Sequence, residues 1–222
     1  LLSLNHDPIA IIPSIGKTAL ENTWINNIKI WQSPNPDDEG ISALKEIILS
    51  IDKSNSSVGF EMGNESYLRM PIKDFENLKK QLTDYKFIDA SHIIWELRMI
   101  KSKKEISKIK DITSIASKAF DDLPNKIQIG LSEIEICNIM KKNLLDHGAD
   151  HTLYMSCASG KGGYNQIICD PTEKKLIEGD ILAIDTGSTL DGYFCDFDRN
   201  FGFGKIAESA KTAYHILWEA VE

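Results

Sequence analysis

Between Glu178 and Gly204 the chain reads EGDILAIDTGSTLDGYFCDFDRNFGFG, and this stretch restricts the possible folds more than any other. An apolar strand runs into Asp185, a glycine-containing turn follows, and Gly192-Tyr193 leads into a second strand that carries Asp196. If the two strands pair, the D-x10-D spacing brings two carboxylates side by side across a hairpin. Two carboxylates at the inner end of a sheet repel each other, and burying them is costly unless a cation offsets the charge. Oxygen-rich ligand sets suit Mn²⁺, Co²⁺, Fe²⁺ or Zn²⁺ rather than a thiolate centre. A pair of such ions can generate hydroxide near neutral pH and polarise a carbonyl. Asp185 and Asp196 are the candidate metal ligands.

The residues before this hairpin fall into two textures. In the first, strands alternate with helices. Pro8–Pro13, Ile28–Trp31, Ser57–Glu61 and Lys86–Asp89 read as short strands, and 41–51 and 74–83 as amphipathic helices. The polar, proline-containing run Ser33–Gly40 is a loop. That alternation predicts an α/β layer with a largely parallel sheet over residues 1–97. From residue 98 onward the pattern is α+β. Ser102–Glu105 and Ser132–Glu135 are capping boxes, each opening a helix. The first helix carries an apolar stripe of Ile106, Ile109, Ile112, Ala116, Ala119 and Phe120. The second is predicted to bury Ile136, Cys137, Met140, Leu144 and Leu145, with Gly148 in the left-handed position after its end. Leu153–Ala158, Gln166–Cys169, Ile181–Asp185, Gly192–Asp196 and Asn200–Gly204 are the candidate strands that follow.

Composition removes several classes of function. With 25 Lys and Arg against 33 Asp and Glu, the net charge of −8 disfavours nucleic acid and acidic membrane surfaces as partners. No apolar run approaches the roughly 18–20 residues that span a bilayer, and Asp7 and Pro8 interrupt the opening residues as a signal peptide. Cys137, Cys157, Cys169 and Cys195 form no C-x-x-C pair, so free thiols and a cytoplasmic location are expected.

The pattern Asp185-Thr-Gly187-x4-Gly192-Tyr193-x2-Asp196-x2-Arg199 resembles the metal hairpin of the peptidase M24, or pita-bread, enzymes: methionine aminopeptidase, prolidase, aminopeptidase P and creatinase. Leu97-Arg98-x-Ile-Lys101-Ser102-x2-Glu105-Ile106 is similar to the phrase that opens their catalytic domain. Gly130-x-Ser132-Glu133 and Gly179-Asp180 match its helix and strand starts. The resemblance implies an N-terminal creatinase/prolidase-type domain at 1–97 and the first half of a pita-bread catalytic domain at 98–222. It also implies two divalent metal ions (Mn, Co, Fe or Zn) with Asp185 and Asp196 as two of five ligands. A His and two Glu complete the set in relatives, downstream of the hairpin, with one Glu as general base. The chain starts at Leu1 and its final helix carries no stop signal, so a fragment that is inactive by itself is expected.

The resemblance further implies hydrolysis of Xaa-Pro peptides by a dinuclear-metal hydroxide, a peptide or small-molecule substrate, and a homodimer. One departure qualifies it. The position of a proton-shuttling His holds Ile168, which cannot move a proton; Asp170 or Cys169 could substitute, although an Asp before Pro171 reads first as a turn residue. The alternatives are a dimethylsulfoniopropionate lyase-like or creatinase-like amidinohydrolase enzyme, or a catalytically silent binding protein. Cys195-Asp-Phe-Asp-Arg-Asn-Phe201, with Gly162-Gly-Tyr164 upstream, resembles the lyase branch.

Other residues carry plainer readings. Asp198 faces the same way as Asp196 and is either a further acidic contact or a local partner of Arg199. His215 is expected to be a partly buried helical residue, and His151 and Tyr154 to be structural residues at the edge of a cleft. Gly160–Tyr164 reads as a mobile loop lining that cleft, with a phosphate loop the weaker reading. Cys195 is expected to be buried core, and Trp24, Trp31 and Trp95 to be packing or interface residues.

Overall fold

The computed structural model describes residues 1–51 and 56–221. These divide into two compact units, Leu1–Ile100 and Lys101–Glu222.

In the first unit the β-branched run Ile9–Pro13 forms β1, which pairs in parallel with β2 (Asn27–Trp31). A parallel pair needs a crossover, and a single 3₁₀ turn with the short helix α1 (Lys17–Glu21) supplies it. Helix α2 (Ile41–Ile51) follows, then β3 (Ser57–Phe60), α3 (Ile72–Gln81) and β4 (Lys86–Asp89). Strands β3 and β4 form a second parallel pair. Ile41, Ile48, Leu78 and Leu82 are buried together. The rings of Phe60, Phe75 and Phe87 pack with centroids 5.1–5.7 Å apart. Among the described residues the four strands make two separate two-stranded ladders rather than one sheet. Apolar periodicity identifies a strand and is silent about its partner.

Helix α4 (Ser91–Met99) is absent from the sequence expectation and runs across the boundary drawn at 97/98. Its start is set by polar contacts: the buried Ser91 hydroxyl donates to Asp89 Oδ1 at 2.6 Å. Trp24 and Trp95 are exposed. Trp31 instead closes on Gly40, whose φ of +88° and missing side chain leave the ring its space.

In the second unit both capping boxes form. Ser102 and Glu105 exchange bonds of 2.6 and 3.3 Å at the start of α5 (Lys103–Asp122), and Ser132 and Glu135 bonds of 2.7 and 3.2 Å at the start of α6 (Glu133–Asp146). From α5 the core takes Ile112, Ala116, Ala119 and Phe120, while Ile106 in the first turn stays exposed. From α6 it takes Ile136, Cys137, Met140 and Leu144. Leu145 is half exposed, because one residue further along a helix turns the side chain about 100° away. Gly148 has φ +108°, the left-handed conformation that ends α6.

Three long antiparallel strands follow in the order β5-β6-β7: His151–Lys161, Asp180–Leu190 and Tyr193–Gly202. The turn between β6 and β7 is Asp191-Gly192, with φ of 53° and 78°, the left-handed pair that a tight hairpin requires. Asp185 therefore lies in mid-strand and does not end one. Gln166–Cys169 forms no strand, and the two segments expected at 192–196 and 200–204 are one continuous strand. Alternation gives β6 and β7 one apolar face, where Leu182 and Ile184 meet Ile112, and Phe120 stacks on Phe197 and Phe201. Helix α7 (Glu208–Val221) closes the description and buries none of its residues.

Candidate metal centre

The opposite face of the β6–β7 hairpin carries the carboxylates. Register places Asp185 directly across from Asp198, and Gly187 across from Asp196. The expected side-by-side pair of Asp185 and Asp196 is thus a diagonal one, two residues out of register, because β6 continues past Asp185. The diagonal is closed by a residue of β5. Tyr154 lies across from Gly187, and its hydroxyl is 3.0 Å from Asp185 Oδ1 and 2.5 Å from Asp196 Oδ1. Its single proton serves both carboxylates, which holds them at one point.

Three features aim Tyr154. The β5–β6 register shifts between Thr152 and Tyr154, and such a bulge redirects the side chains beside it. Thr186 Oγ1 donates to the Tyr154 carbonyl at 2.7 Å. Gly187 leaves open the space that the ring crosses: a Cβ there would stand 2.7 Å from Tyr154 Cε1 and 2.3 Å from the Phe194 ring. Burial, and then the two carboxylates accepting from it, hold the Tyr154 hydroxyl far above the usual phenol range, so it stays a donor.

Asp198 adds a third carboxyl to this face. Burial raises its pKa, and the nearby Asp185 and Asp196 raise it further against the opposing pull of Arg199. Arg199 does not pair with the Asp198 carboxylate. It donates to the Asp198 carbonyl at 2.7 Å, and its guanidinium lies 4.9 Å from the centre of the Phe197 ring. Negative charge is therefore crowded on the open face, which is the condition that favours a cation. The ligand oxygens are those of carboxylates, so the residues present fit part of the coordination shell of a hard or borderline divalent ion. Among the described residues, no group of three or more His, Cys, Asp and Glu side chains is placed to hold a metal.

The remaining candidates separate clearly. His151 is exposed where β5 begins, across from Thr189. His215 is exposed rather than partly buried; it pairs with Glu219 at 3.2 Å and stacks on Trp218. Ile168 is 90% exposed on a loop clipped to β5, where the Ser156 hydroxyl accepts from Cys169 N and donates to the Ile167 carbonyl. The Cys169 thiol donates to the Cys157 carbonyl, and Asp170 is exposed. Cys195 is buried against Ser188 on the apolar face. Tyr164 donates to Asn200 Oδ1 at 2.8 Å, which ties the glycine loop to β7.

Sequence reasoning placed one residue at a helix start without foreseeing its role. Glu133, the first residue of α6, is buried. Its Oε1 accepts from Ser159 N and Oγ (2.9 and 2.6 Å), and its Oε2 from Thr172 N and Oγ1 (3.0 and 2.7 Å). It fastens α6 to β5 and to the segment leading toward β6. The capping box one residue away was readable; a second acid at the same helix start gave no sign of pointing inward.

The model of metallopeptidase family M24 matches residues 107–222, and that of the creatinase/prolidase N-terminal domain matches residues 1–100. Among curated proteins the chain is 29% identical over 161 residues to an Xaa-Pro dipeptidase of Pyrococcus horikoshii, covering 72% of this chain and 45% of that protein. It is 27% identical over 165 residues to an uncharacterized peptidase, YqhT, of Bacillus subtilis, covering 73% and 45%. Among solved structures, a recombinant prolidase from Thermococcus sibiricus superimposes with a TM-score of 0.80 at 26% identity, covering 96% of this chain and 55% of that one. The chain spans about half the length of the curated relatives it matches. No described helix is long and apolar enough to cross a membrane.

Proposed function

The chain belongs to metallopeptidase family M24, and from that premise we propose that the protein is a divalent-metal-dependent peptidase that cleaves Xaa-Pro peptides, with Asp185 and Asp196 among its metal ligands. The observation that carries this reading is the convergence of those two carboxylates on the Tyr154 hydroxyl. Divalent ions held by Asp185 and Asp196 would supply Lewis-acid polarisation of a carbonyl and hydroxide near neutral pH. The chain's own residues do the rest of what can be derived. Tyr154 orients two ligands, Gly187 admits Tyr154, and Asp198 concentrates charge beside Asp185. Ile168 supplies no proton-transferring group at its own place on the clipped loop, and the exposed Asp170 two residues on is the carboxyl that could take that part.

The test uses the protein at the length of its relatives, because only two carboxylates converge on one hydroxyl among the described residues. Metal analysis after purification should find one or two divalent ions per chain. Asp185→Asn and Asp196→Asn should each reduce loading at least tenfold, since an amide supplies no charge to the ion; unchanged loading in both would remove the ligand assignment. Xaa-Pro dipeptides should be hydrolysed. Turnover confined to small sulfonium or amidino compounds would instead favour the lyase or amidinohydrolase alternative. Homodimerisation, also proposed by analogy, is read by light scattering on the same preparation.

A further inference from the structure

Residues 167–169 lie along the free edge of β5. Cys157 N–H donates to the Cys169 carbonyl at 3.2 Å, and the Ser156 hydroxyl accepts from Cys169 N at 2.9 Å. Ser156 stands directly across from Asp185, which is in turn directly across from Asp198. Residues opposite one another in a ladder face the same way, so the Ser156 hydroxyl fastens this segment on the carboxylate face. Neighbouring strands lie ~4.8 Å apart, which puts Cys169 in the row of Asp185 and roughly 10 Å from it. Asp170 comes next and is pinned from both sides. Pro171 restricts it to extended backbone, and Glu133 Oε2 holds Thr172 by its N–H and hydroxyl at 3.0 and 2.7 Å. An Asp before a proline ordinarily makes a turn by accepting from the N–H two residues on. Here that N–H belongs to Thr172 and goes to Glu133, so the turn role expected of Asp170 is carried by Glu133. The Asp170 carboxylate makes no hydrogen bond or ion pair among the described residues. A fixed, unpaired carboxylate is therefore left beside the centre.

We propose that Asp170 is a catalytic residue of this centre: it receives the proton given up by the attacking water and passes it to the departing nitrogen. The assignment rests on the peptidase reading for its substrate class. Other groups nearby are committed elsewhere. The Tyr154 hydroxyl is bonded to both Asp185 and Asp196, and the Cys169 thiol donates to the Cys157 carbonyl at 3.3 Å. His151 is across from Thr189, which lies ~13 Å along β6 from Asp185. In the proposed step the water oxygen bonds to the scissile carbonyl carbon, and the proton it releases reaches the Asp170 carboxylate. When the C–N bond breaks, its electron pair stays on nitrogen, and Asp170 hands the proton to that pair and is a carboxylate again. One water is consumed, and a carboxylic acid and an amine leave.

The measurement is made on the whole protein. Asp170→Asn should lower kcat for an Xaa-Pro dipeptide by about 10²–10⁴-fold, the usual share of acid–base catalysis. Its metal content and Tm should stay unchanged, because the carboxylate it loses holds nothing in the fold. Asp170→Ala should fall as far and regain part of its rate in added formate, a small carboxylate that fits the emptied place. A merely structural residue would lower Tm and would not answer to formate. If Asp170→Ala fails to fold, Asp170→Glu decides beside Asp170→Asn: it keeps a carboxylate and should keep part of the rate. Equal kcat in the protein and in Asp170→Asn overturns the assignment. Loss of metal from Asp170→Asn also overturns it, since Asp170 would then be a ligand. Hydrolysis that survives Asp170→Asn removes this role and leaves the peptidase; a whole protein that hydrolyses none of the peptides removes the peptidase reading and this role with it.

Discussion

Glu133→Ala is expected to destabilise the second unit by about 2–6 kcal/mol, the range for leaving two buried backbone donors unpaired. The reason is the number of donors left behind. Four groups point at this carboxylate: the backbone N–H and hydroxyl of Ser159, and those of Thr172. The two hydroxyls can rotate to other acceptors, but the two backbone N–H groups are fixed, and each buried orphan costs about 1–3 kcal/mol. Against a total stability of about 5–15 kcal/mol for a domain, this is a large fraction. Hydrogen exchange of the α6 and β5 amides should report the loss as faster global opening. Glu133→Gln keeps the shape but turns an NH₂ toward two donors, so it should recover only part.

The pH dependence has a definite sign. Burial alone would raise the pKa of Glu133; the four hydrogen bonds outweigh it and hold the carboxyl below its ordinary range. A folded-state pKa below the unfolded value of about 4.3 means that the stabilisation is complete above about pH 4.3 and fades as the pH falls through the lower, folded value. The gap between the protein and Glu133→Gln should therefore be widest near pH 7 and shrink under acid. A gap that is constant with pH would show that the carboxylate charge is not what the clamp uses.

Much of the fold could be read from the chain because its signals are local. Both capping boxes, Gly148 and the strands β1 to β4 are each set by a few adjacent residues, and the structure has them where the pattern puts them. What the sequence did not carry was register. Asp191-Gly192 decides where β6 ends, but LDGY competes with the earlier TGST for the same role, and choosing the earlier one shortens the strand and pairs Asp185 with the wrong residue. Helix α4 failed to stand out because Ser91–Met99 mixes apolar and polar residues with little periodicity. The site was half legible for the same reason. Asp185 and Asp196 were singled out as candidates by their spacing and the family resemblance, whereas Tyr154 joins them only because a bulge in a third strand and a glycine across from it turn the ring inward. Neither condition leaves a mark near Tyr154 in the chain.

That dependence makes Gly187 the sharpest probe of the centre. Gly187→Ala should cost the fold only about 1–3 kcal/mol, the usual range for one extra methyl in a packed place. Gly187 does not require a left-handed backbone, and the atoms that a Cβ would meet belong to the partly exposed rings of Phe194 and Tyr154, which can swing outward. The swing, however, takes the Tyr154 hydroxyl away from both carboxylates. Asp185 and Asp196 then lose their common donor and repel each other into separate rotamers, so the proposed ligands are no longer arranged in advance. Loss of such an orienting partner typically lowers metal affinity by roughly 10–100-fold. Manganese titration of chelator-stripped whole protein should show a loss of that size in Gly187→Ala, and a similar one in Tyr154→Phe, which keeps the ring and removes only the hydroxyl. The double variant should be no worse than either single change, because both act through one bond. Additive losses would mean that Gly187 works by another route. Unchanged affinity in Tyr154→Phe would mean that the hydroxyl merely fills the gap between two carboxylates and contributes nothing to holding the ion.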